Sequence, residues 1–323
     1  MQPFLHRRAE TDHVTCKMCQ EKERRTVFRD GFEYLLDDDD RTAWIQEGNS
    51  GGARVYVMPE KVEIDGVTYT ITSVEFNAYN TPLDTGLEEL YFTDGYEYFD
   101  EYAFYGSPLK KVRLGKGIRY YMHGALRSAA DDVRMEIDPD NPYIKMSDDG
   151  HSVLSKDGKE LIYVIHDVEE LAIPEGVESI AGCAIMGKTR MRTVRLPSSL
   201  KRIAVDGMID NPRLESLLIP EGVEEIGCQA FCGNESLTSA DFPSTLAEMD
   251  SCTFLFDKGL ASLTLRSPTV VKVNFQGWRA WYTEFPMESC RLVVPKQLVP
   301  EYRKDPFWGW IKQIDPIEEI EHV

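Results

Sequence analysis

The sequence predicts a β-rich solenoid of right-handed coils, each about 22–24 residues long. The main observation is a repeat with a period of 23 residues, seen in four stretches that lie in register. A second observation is that a proline stands three residues after the first apolar position of each stretch. A period of this length indicates stacked units, none of which can bury its apolar side alone. The four apolar positions that begin these stretches are Leu171, Val194, Leu217 and Ala240.

One unit shows how the pattern predicts a coil. Side chains alternate along a strand, so Leu217 and Ile219 should point into the core and Leu218 should point outward. Pro220 should end the strand because it has no N–H to donate. Phe231 should seal the opposite side of the coil by filling the space between neighbouring units.

The changes in pattern along the chain predict a cap at each end of the stack. Residues 1–26 are polar and without periodicity, so we expect a flexible tail. Residues 27–71 predict a β-rich N-terminal cap, and 290–323 an aromatic and helical C-terminal cap. Residues 72–289 form the repeat array, which is interrupted by an inserted β-hairpin at 138–166.

Local signals predict the elements of both caps. Three short strands are expected at Phe32–Leu36, Trp44–Gln46 and Val55–Met58, followed by a hairpin that turns at Asp65-Gly66. A short helix is predicted at Lys296–Lys304, ahead of an aromatic cluster. The caps should cover apolar side chains and strand edges that an open stack would expose.

The insertion carries a second hairpin signal. Segments 152–155 and 161–165 are apolar and flank Asp157-Gly158. An Asp-Gly pair between apolar runs favours a tight two-residue turn. We therefore expect a β-hairpin inside the repeat array.

Composition narrows the range of functions. The 323 residues carry a formal net charge of −19, which disfavours sequence-independent binding to nucleic acid. No stretch approaches the roughly 18 apolar residues of a membrane-spanning helix. The N-terminal residues lack the apolar segment of a secretory signal, so the expectation is a cytoplasmic chain or one whose export signal is missing. We expect a monomer without membrane insertion.

Cysteine usage predicts reduced thiols within the array. Cys183 and Cys252 share a repeat column, but they stand three units apart. At the spacing of adjacent strands this is roughly 14 Å, too far for a disulfide. We therefore predict no disulfide among the five cysteines of the array, which are Cys183, Cys228, Cys232, Cys252 and Cys290.

The repeat resembles that of the BspA-like leucine-rich repeat proteins. The motif Leu-x-x-Leu-x-Ile-Pro-x-x-Val-x-x-Ile-x-x-x-Ala-Phe is closest at Leu214–Phe231 and Val168–Ile185, and the similarity extends over roughly residues 30–315. The resemblance implies a surface-displayed adhesion or protein-binding module of host-associated bacteria, at the cell surface or secreted. It implies no catalytic residues and no particular ligand.

One group near the N-terminus has metal-ligand chemistry. A Cys-x-x-Cys pair can hold one tetrahedral zinc, and two nearby histidines could complete the ligand set. The spacing of His6, His13, Cys16 and Cys19 is unlike that of the usual zinc fingers, and no second cysteine pair follows. An unstructured tail with unrelated thiols is the favoured interpretation, so neither a metal nor a cofactor is predicted.

Catalytic patterns are weak in this sequence. No nucleophile motif and no Gly-rich phosphate loop is present. The acidic pairs Asp94/Asp100 and Glu169/Glu170 are better explained as solvated repeat faces than as the acids of a glycosidase. The Asp37–Asp40 run favours a solvated turn, because a calcium loop needs spaced ligands and a glycine bend.

The candidate binding surface is the concave face of the predicted sheet. Outward strand positions place several cations on this face despite the acidic composition, and such faces bind partners in other solenoids. The proposed ligand-binding residues are Tyr91, Lys111, Arg113, Arg134 and Arg195. The other explanation is that these charges only keep an exposed sheet soluble.

These observations predict a non-enzymatic module that binds a protein or a glycan. The alternatives are a glycan-active enzyme and a purely structural spacer. A closed pocket holding two carboxylates about 5–9.5 Å apart would favour the enzyme.

Overall fold

The chain folds into stacked coils of short, mostly parallel strands. The computed structural model describes residues 24–48, 51–74, 86–99, 108–121, 133–274 and 289–318. Most of the predicted tail, with His6, His13, Cys16 and Cys19, lies outside these residues, as do the aromatic residues at 275–285. In the N-terminal half the strands are β1 (Arg25–Arg29), β2 (Phe32–Asp37), β3 (Thr42–Gly48), β4 (Val55–Val57), β5 (Lys61–Ile64), β6 (Val67–Val74), β7 (Glu89–Tyr91), β8 (Tyr98–Phe99), β9 (Lys111–Leu114), β10 (Tyr120–Tyr121) and β11 (Arg134–Ile137).

The remaining strands form the insertion and the C-terminal half. The insertion contains β12 (Ile144–Met146), β13 (Ser152–Ser155) and β14 (Glu160–Val164). The later coils contain β15 (Glu170–Ala172), β16 (Ser179–Ile180), β17 (Thr193–Arg195), β18 (Arg202–Ile203), β19 (Ser216–Leu218), β20 (Glu225–Ile226), β21 (Ser239–Phe242), β22 (Glu248–Asp250), β23 (Ser262–Leu265), β24 (Lys272–Asn274), β25 (Arg291–Val294) and β26 (Gln313–Pro316).

The hairpin predicted for the N-terminal part of the chain is present. Strands β5 and β6 pair antiparallel around Asp65-Gly66, both of which have positive φ angles, as the two-residue turn requires. Strand β4 leaves the cap sheet and pairs with β7, parallel and in register. The outward sheet face of the array therefore begins at Val55.

The predicted repeat register is confirmed in the C-terminal coils. Leu171 lies beside Val194 and Leu217 beside Ala240, each one period apart. On strand β19 the side chain of Leu217 is 2% exposed, whereas that of Leu218 is 69% exposed. Alternation along the strand thus separates the core from the outer face, as predicted.

Phe231 seals the side of the coil opposite this sheet. The ring is fully buried, with its centroid 5.6 Å from that of Phe254 and 6.1 Å from that of Phe242. Ala230, which precedes it, is also fully buried and lets adjacent coils approach closely.

The insertion separates two hydrophobic cores. Strand β13 pairs antiparallel with both β12 and β14, so the predicted hairpin is present. Val153 and Tyr163 pack into the N-terminal core, whereas Leu154, Leu161 and Val164 pack into the C-terminal core. The hairpin therefore lies between the two cores, with one face buried in each, and it joins the two halves of the array.

A ladder of buried amides runs along the C-terminal coils. The backbone N–H of Lys188 donates to the side-chain oxygen of Asn211 (3.0 Å), and the N–H of Asn211 donates to that of Asn234 (3.0 Å). The N–H of Asn234 donates to Asp257 Oδ1 at 2.6 Å. The side-chain amide of Asn211 also donates to Ile185 O (3.1 Å). Each step gives buried backbone groups a hydrogen-bond partner, and without one they would lower the stability of the fold.

The segment predicted as the C-terminal cap packs against the coil that contains Val271. A 3₁₀ turn at Lys296–Leu298 and helix α1 (Val299–Tyr302) correspond to the predicted helix. Buried Tyr302 and Trp308 bond the backbone of Val271, since Val271 N–H donates to the tyrosine oxygen (3.0 Å) and Trp308 Nε1 donates to Val271 O (2.8 Å). Among the described residues, no helix combines the length and the apolar character needed to cross a bilayer.

The prediction of reduced thiols throughout the array is wrong for one pair. Cys228 and Cys252 form a disulfide, with their Cα atoms 5.8 Å apart. The two positions differ by 24 residues, so a comparison within one 23-residue column does not pair them. They belong to adjacent coils and neighbouring columns, and this diagonal placement brings them within bridging distance.

Candidate binding surface

Strands β4, β7, β9 and β11 form one four-stranded parallel sheet whose outward side is called here the N-terminal ladder face. Its first row of outward residues runs from Val55 to Glu89, Lys111 and Arg134, and its second from Val57 to Tyr91, Arg113 and Glu136. The residues between them, Tyr56, Leu90, Val112 and Met135, face the core side.

One edge of this face is apolar. The side chains of Val55 and Val57 are 52% and 58% exposed, although valine is usually buried. Val57 lies directly beside Tyr91 on the neighbouring strand. Sequence reasoning missed these two valines because it placed them in the cap. Their signal was the alternation of Val55-Tyr56-Val57, in which the tyrosine turns inward.

Charges of both signs fill the rest of the face. Lys111 Nζ lies 3.1 Å from Glu136, and Arg134 lies 3.1 Å from the other oxygen of that carboxylate. Arg113 approaches Asp138 at 3.8 Å. The hydrogen bond to Glu136 raises the pKa of Lys111, so the lysine stays charged. These cations are therefore balanced by neighbouring carboxylates and do not form a purely basic patch.

Tyr91 connects the apolar edge to the charges. Its hydroxyl donates to Glu89 on the same strand, and this hydrogen bond raises the pKa of the tyrosine. Lys111 Nζ lies 5.5 Å from the centre of the Tyr91 ring, within the range of a cation–π contact. The ring is thus held in place on the surface from both sides.

The fifth predicted site residue lies elsewhere. Arg195 is on β17, which pairs with β15 in a separate two-stranded sheet beyond the insertion. The structure therefore brings Tyr91, Lys111, Arg113 and Arg134 together, but not Arg195. The outward side of the later strands, called here the C-terminal ladder face, is richer in hydroxyls: Thr193, Ser216, Ser239, Ser262 and Thr264.

Two histidines meet at the base of the insertion. The Nδ1 atoms of His151 and His166 are 3.1 Å apart, and His166 Nε2 lies 3.1 Å from the carbonyl of Val133. A carbonyl can only accept, so Nε2 of His166 carries a proton and its Nδ1 accepts one from His151. Burial lowers the pKa of His166 and favours this neutral form. The pair ties the insertion to the N-terminal half of the array.

The acidic run and the C-terminal aromatic cluster, two other candidate sites, are explained by turn formation and by packing. In the Asp37–Asp40 run, Asp37 Oδ1 accepts the backbone N–H groups of Asp39 and Asp40, as in a tight turn. In the C-terminal aromatic cluster, Trp308 is fully buried, while Trp310 is 74% exposed. Cap packing therefore accounts for Trp308.

Stacked parallel strands, a 23-residue register and an outward polar sheet face define a leucine-rich repeat solenoid. The chain belongs to the BspA type leucine rich repeat family. Six copies of this repeat region match residues 61–140 and 159–275. The resemblance drawn from the sequence is therefore confirmed.

Several solved structures are similar to this chain. The pneumococcal vaccine antigen PcpA shares 14% identity, over 92% of this chain and 99% of that chain, with a TM-score of 0.42. A leucine-rich repeat protein from Eubacterium ventriosum shares 12%, over 89% and 83%, with a TM-score of 0.48. A leucine rich cell surface protein from Faecalibacterium prausnitzii shares 15%, over 82% and 98%, with a TM-score of 0.40. No curated protein matches the chain.

Proposed function

We propose that this protein is a non-enzymatic binding module whose N-terminal ladder face recognises a protein partner, in an adhesion or surface-interaction role. Membership of a leucine-rich repeat family supports an interaction role in general. The observation that carries the assignment to this face is the pair of exposed valines Val55 and Val57, the second of which lies beside Tyr91.

A protein fits this surface better than a glycan does. Protein interfaces combine a small apolar and aromatic centre with a rim of paired charges. Here Val55, Val57 and Tyr91 supply the apolar and aromatic part at one edge of the face, and the ion-paired Lys111 and Arg134 supply charged groups next to it. Because the cations are already paired, a partner would have to complement a mixed pattern of charge. This requirement favours specificity over bulk electrostatic attraction.

A capture experiment with matched variants tests the proposal. The full-length protein is immobilised and exposed to surface proteins and to a glycan array. We expect Val57→Ser/Tyr91→Ala to lose at least about tenfold in affinity for the captured protein, because buried apolar and aromatic groups dominate interface energy. Leu218→Ser on the C-terminal ladder face is the control and should bind normally. Both variants should melt like the wild type, since these side chains point outward.

A charge-reversal variant separates the apolar from the electrostatic contribution. Arg113→Glu/Arg134→Glu should lower mainly the association rate, and the loss should shrink at high salt. Capture that is unchanged in both N-terminal variants but lost in Leu218→Ser would move the site to the C-terminal ladder face. Capture of glycans alone would contradict a protein partner.

A further inference from the structure

A second site lies on the turns of two adjacent coils in the C-terminal half. Cys228 follows strand β20, and Cys252 follows strand β22 on the next coil. Asp250, the last residue of β22, accepts the backbone N–H of Cys252 at 3.1 Å, and its Oδ1 lies 2.8 Å from the Cys252 sulfur. The two sulfurs and the carboxylate oxygen all lie within 4.8 Å of one another.

Among the described residues, no basic side chain forms an ion pair with Asp250. The Asp250 side chain is buried. Its hydrogen-bond partners are the N–H of Cys252, the side chain of Ser251 and the Cys252 sulfur, and none of these is basic. Once the disulfide is reduced, two thiolates and one buried carboxylate at the same place offer a cation three ligand atoms.

We propose that Cys228, Cys252 and Asp250 form a zinc site when the cysteines are reduced, and that the disulfide is the metal-free, oxidised state of the same site. Two thiolates on one tetrahedral zinc stand about 3.8 Å apart, given Zn–S bonds of about 2.3 Å. The sulfurs of adjacent coils need little movement to reach that spacing. Three protein ligands leave the fourth position to water.

The two states exclude each other because they use the same sulfurs. A small-molecule dithiol reduces the Cys228–Cys252 bond: it gives up two electrons and two protons and becomes a disulfide itself, and Zn²⁺ then displaces the two thiol protons of the cysteines. A small-molecule disulfide reverses the process. Its S–S bond breaks and takes the electron pair to give two thiolates, the Cys228–Cys252 bond forms, and Zn²⁺ leaves with its charge unchanged.

Metal titration of the reduced full-length chain tests the proposal. Cys16→Ser/Cys19→Ser is the background, because the N-terminal cysteine pair offers zinc the same ligands. Co²⁺ should give a thiolate charge-transfer band and the visible bands of a tetrahedral ion at one equivalent, and Zn²⁺ should abolish them. Cys228→Ser, Cys252→Ser and Asp250→Asn should each weaken binding at least about tenfold. Cys232→Ser, which removes a buried thiol that is not part of the disulfide, should leave binding unchanged.

The oxidised protein provides an internal control, because an intact disulfide should prevent the Co²⁺ bands. A reduced, folded background protein that gives no charge-transfer band overturns the proposal. A charge-transfer band that survives in Cys228→Ser/Cys252→Ser overturns it as well.

If a variant does not fold, alkylation of the reduced background protein tests the site without further substitutions. Zn²⁺ should slow iodoacetamide labelling of Cys228 and Cys252 at least about tenfold but not that of Cys183, and equal protection factors at all three contradict the site.

Discussion

Asp257→Asn should raise the free energy of unfolding at pH 7 by about 2–4 kcal/mol. Asp257 is fully buried at the end of the amide ladder, and burial raises the pKa of its carboxyl group from 3.8 to about 8. Its Oδ1 accepts the N–H of Asn234, but its Oδ2 has no hydrogen-bond partner in the described part of the chain. An asparagine would fill this position as Asn211 and Asn234 fill theirs, with an amide that donates to the carbonyl 26 residues earlier.

The shifted pKa of Asp257 makes the free energy of unfolding depend on pH, and this dependence shows why the substitution should stabilise the protein at pH 7. The unfolded chain releases the Asp257 proton near pH 3.8, whereas the folded chain holds it to about pH 8. Between these values the folded state binds one proton more, so stability falls as pH rises, by about 1.4 kcal/mol per pH unit.

Chemical denaturation from pH 4 to pH 9 measures this slope. The variant should lack it, and the gain should approach zero near pH 4. Asp148→Asn changes an exposed carboxyl and should leave the slope in place. Parallel profiles for wild type and Asp257→Asn would contradict the buried, protonated state.

Asn234→Ala should lower the free energy of unfolding by about 3 kcal/mol. Asn234 is fully buried, and its oxygen accepts the N–H of Asn211 while its amide donates to the carbonyls of Met208 and Phe231. Removing the Asn234 side chain leaves three buried backbone groups without hydrogen-bond partners. Each unsatisfied group costs roughly 1–3 kcal/mol of stability unless water replaces the amide. Urea unfolding measures the change. Gln313→Ala removes an exposed amide and should cost under about 0.5 kcal/mol. A loss this small for Asn234→Ala would show that the ladder does not stabilise the stack.

The repeat architecture could be predicted because a solenoid is specified locally. Period, alternation and turn chemistry act within one unit and its neighbour, so Leu217, Phe231 and the Asp65-Gly66 hairpin lie where the pattern puts them. The amide ladder could also have been predicted from the sequence, because Asn211, Asn234 and Asp257 stand one period apart. It was missed because the apolar columns alone were compared.

The candidate site was harder to predict because it depends on pairing across strands. Nothing local to Val55–Val57 shows that its partner is β7, 34 residues later, and not the cap sheet. The cations of the face were predicted, but their neutralisation by Glu136 and Asp138 follows from contacts between side chains on neighbouring strands. The Cys228–Cys252 bridge was missed for a related reason, because it runs diagonally between columns.

The central claim is that each strand of the array buries one side and leaves the other free for recognition. Adjacent leucines on strand β19 test it most directly, because the same substitution can be made on both sides of one strand. Leu217→Ala should lower the free energy of unfolding by about 2–5 kcal/mol, whereas Leu218→Ala should change it by under about 0.5 kcal/mol. Equal losses for the two variants, or a larger loss for Leu218→Ala, would contradict the assigned register and the face built on it.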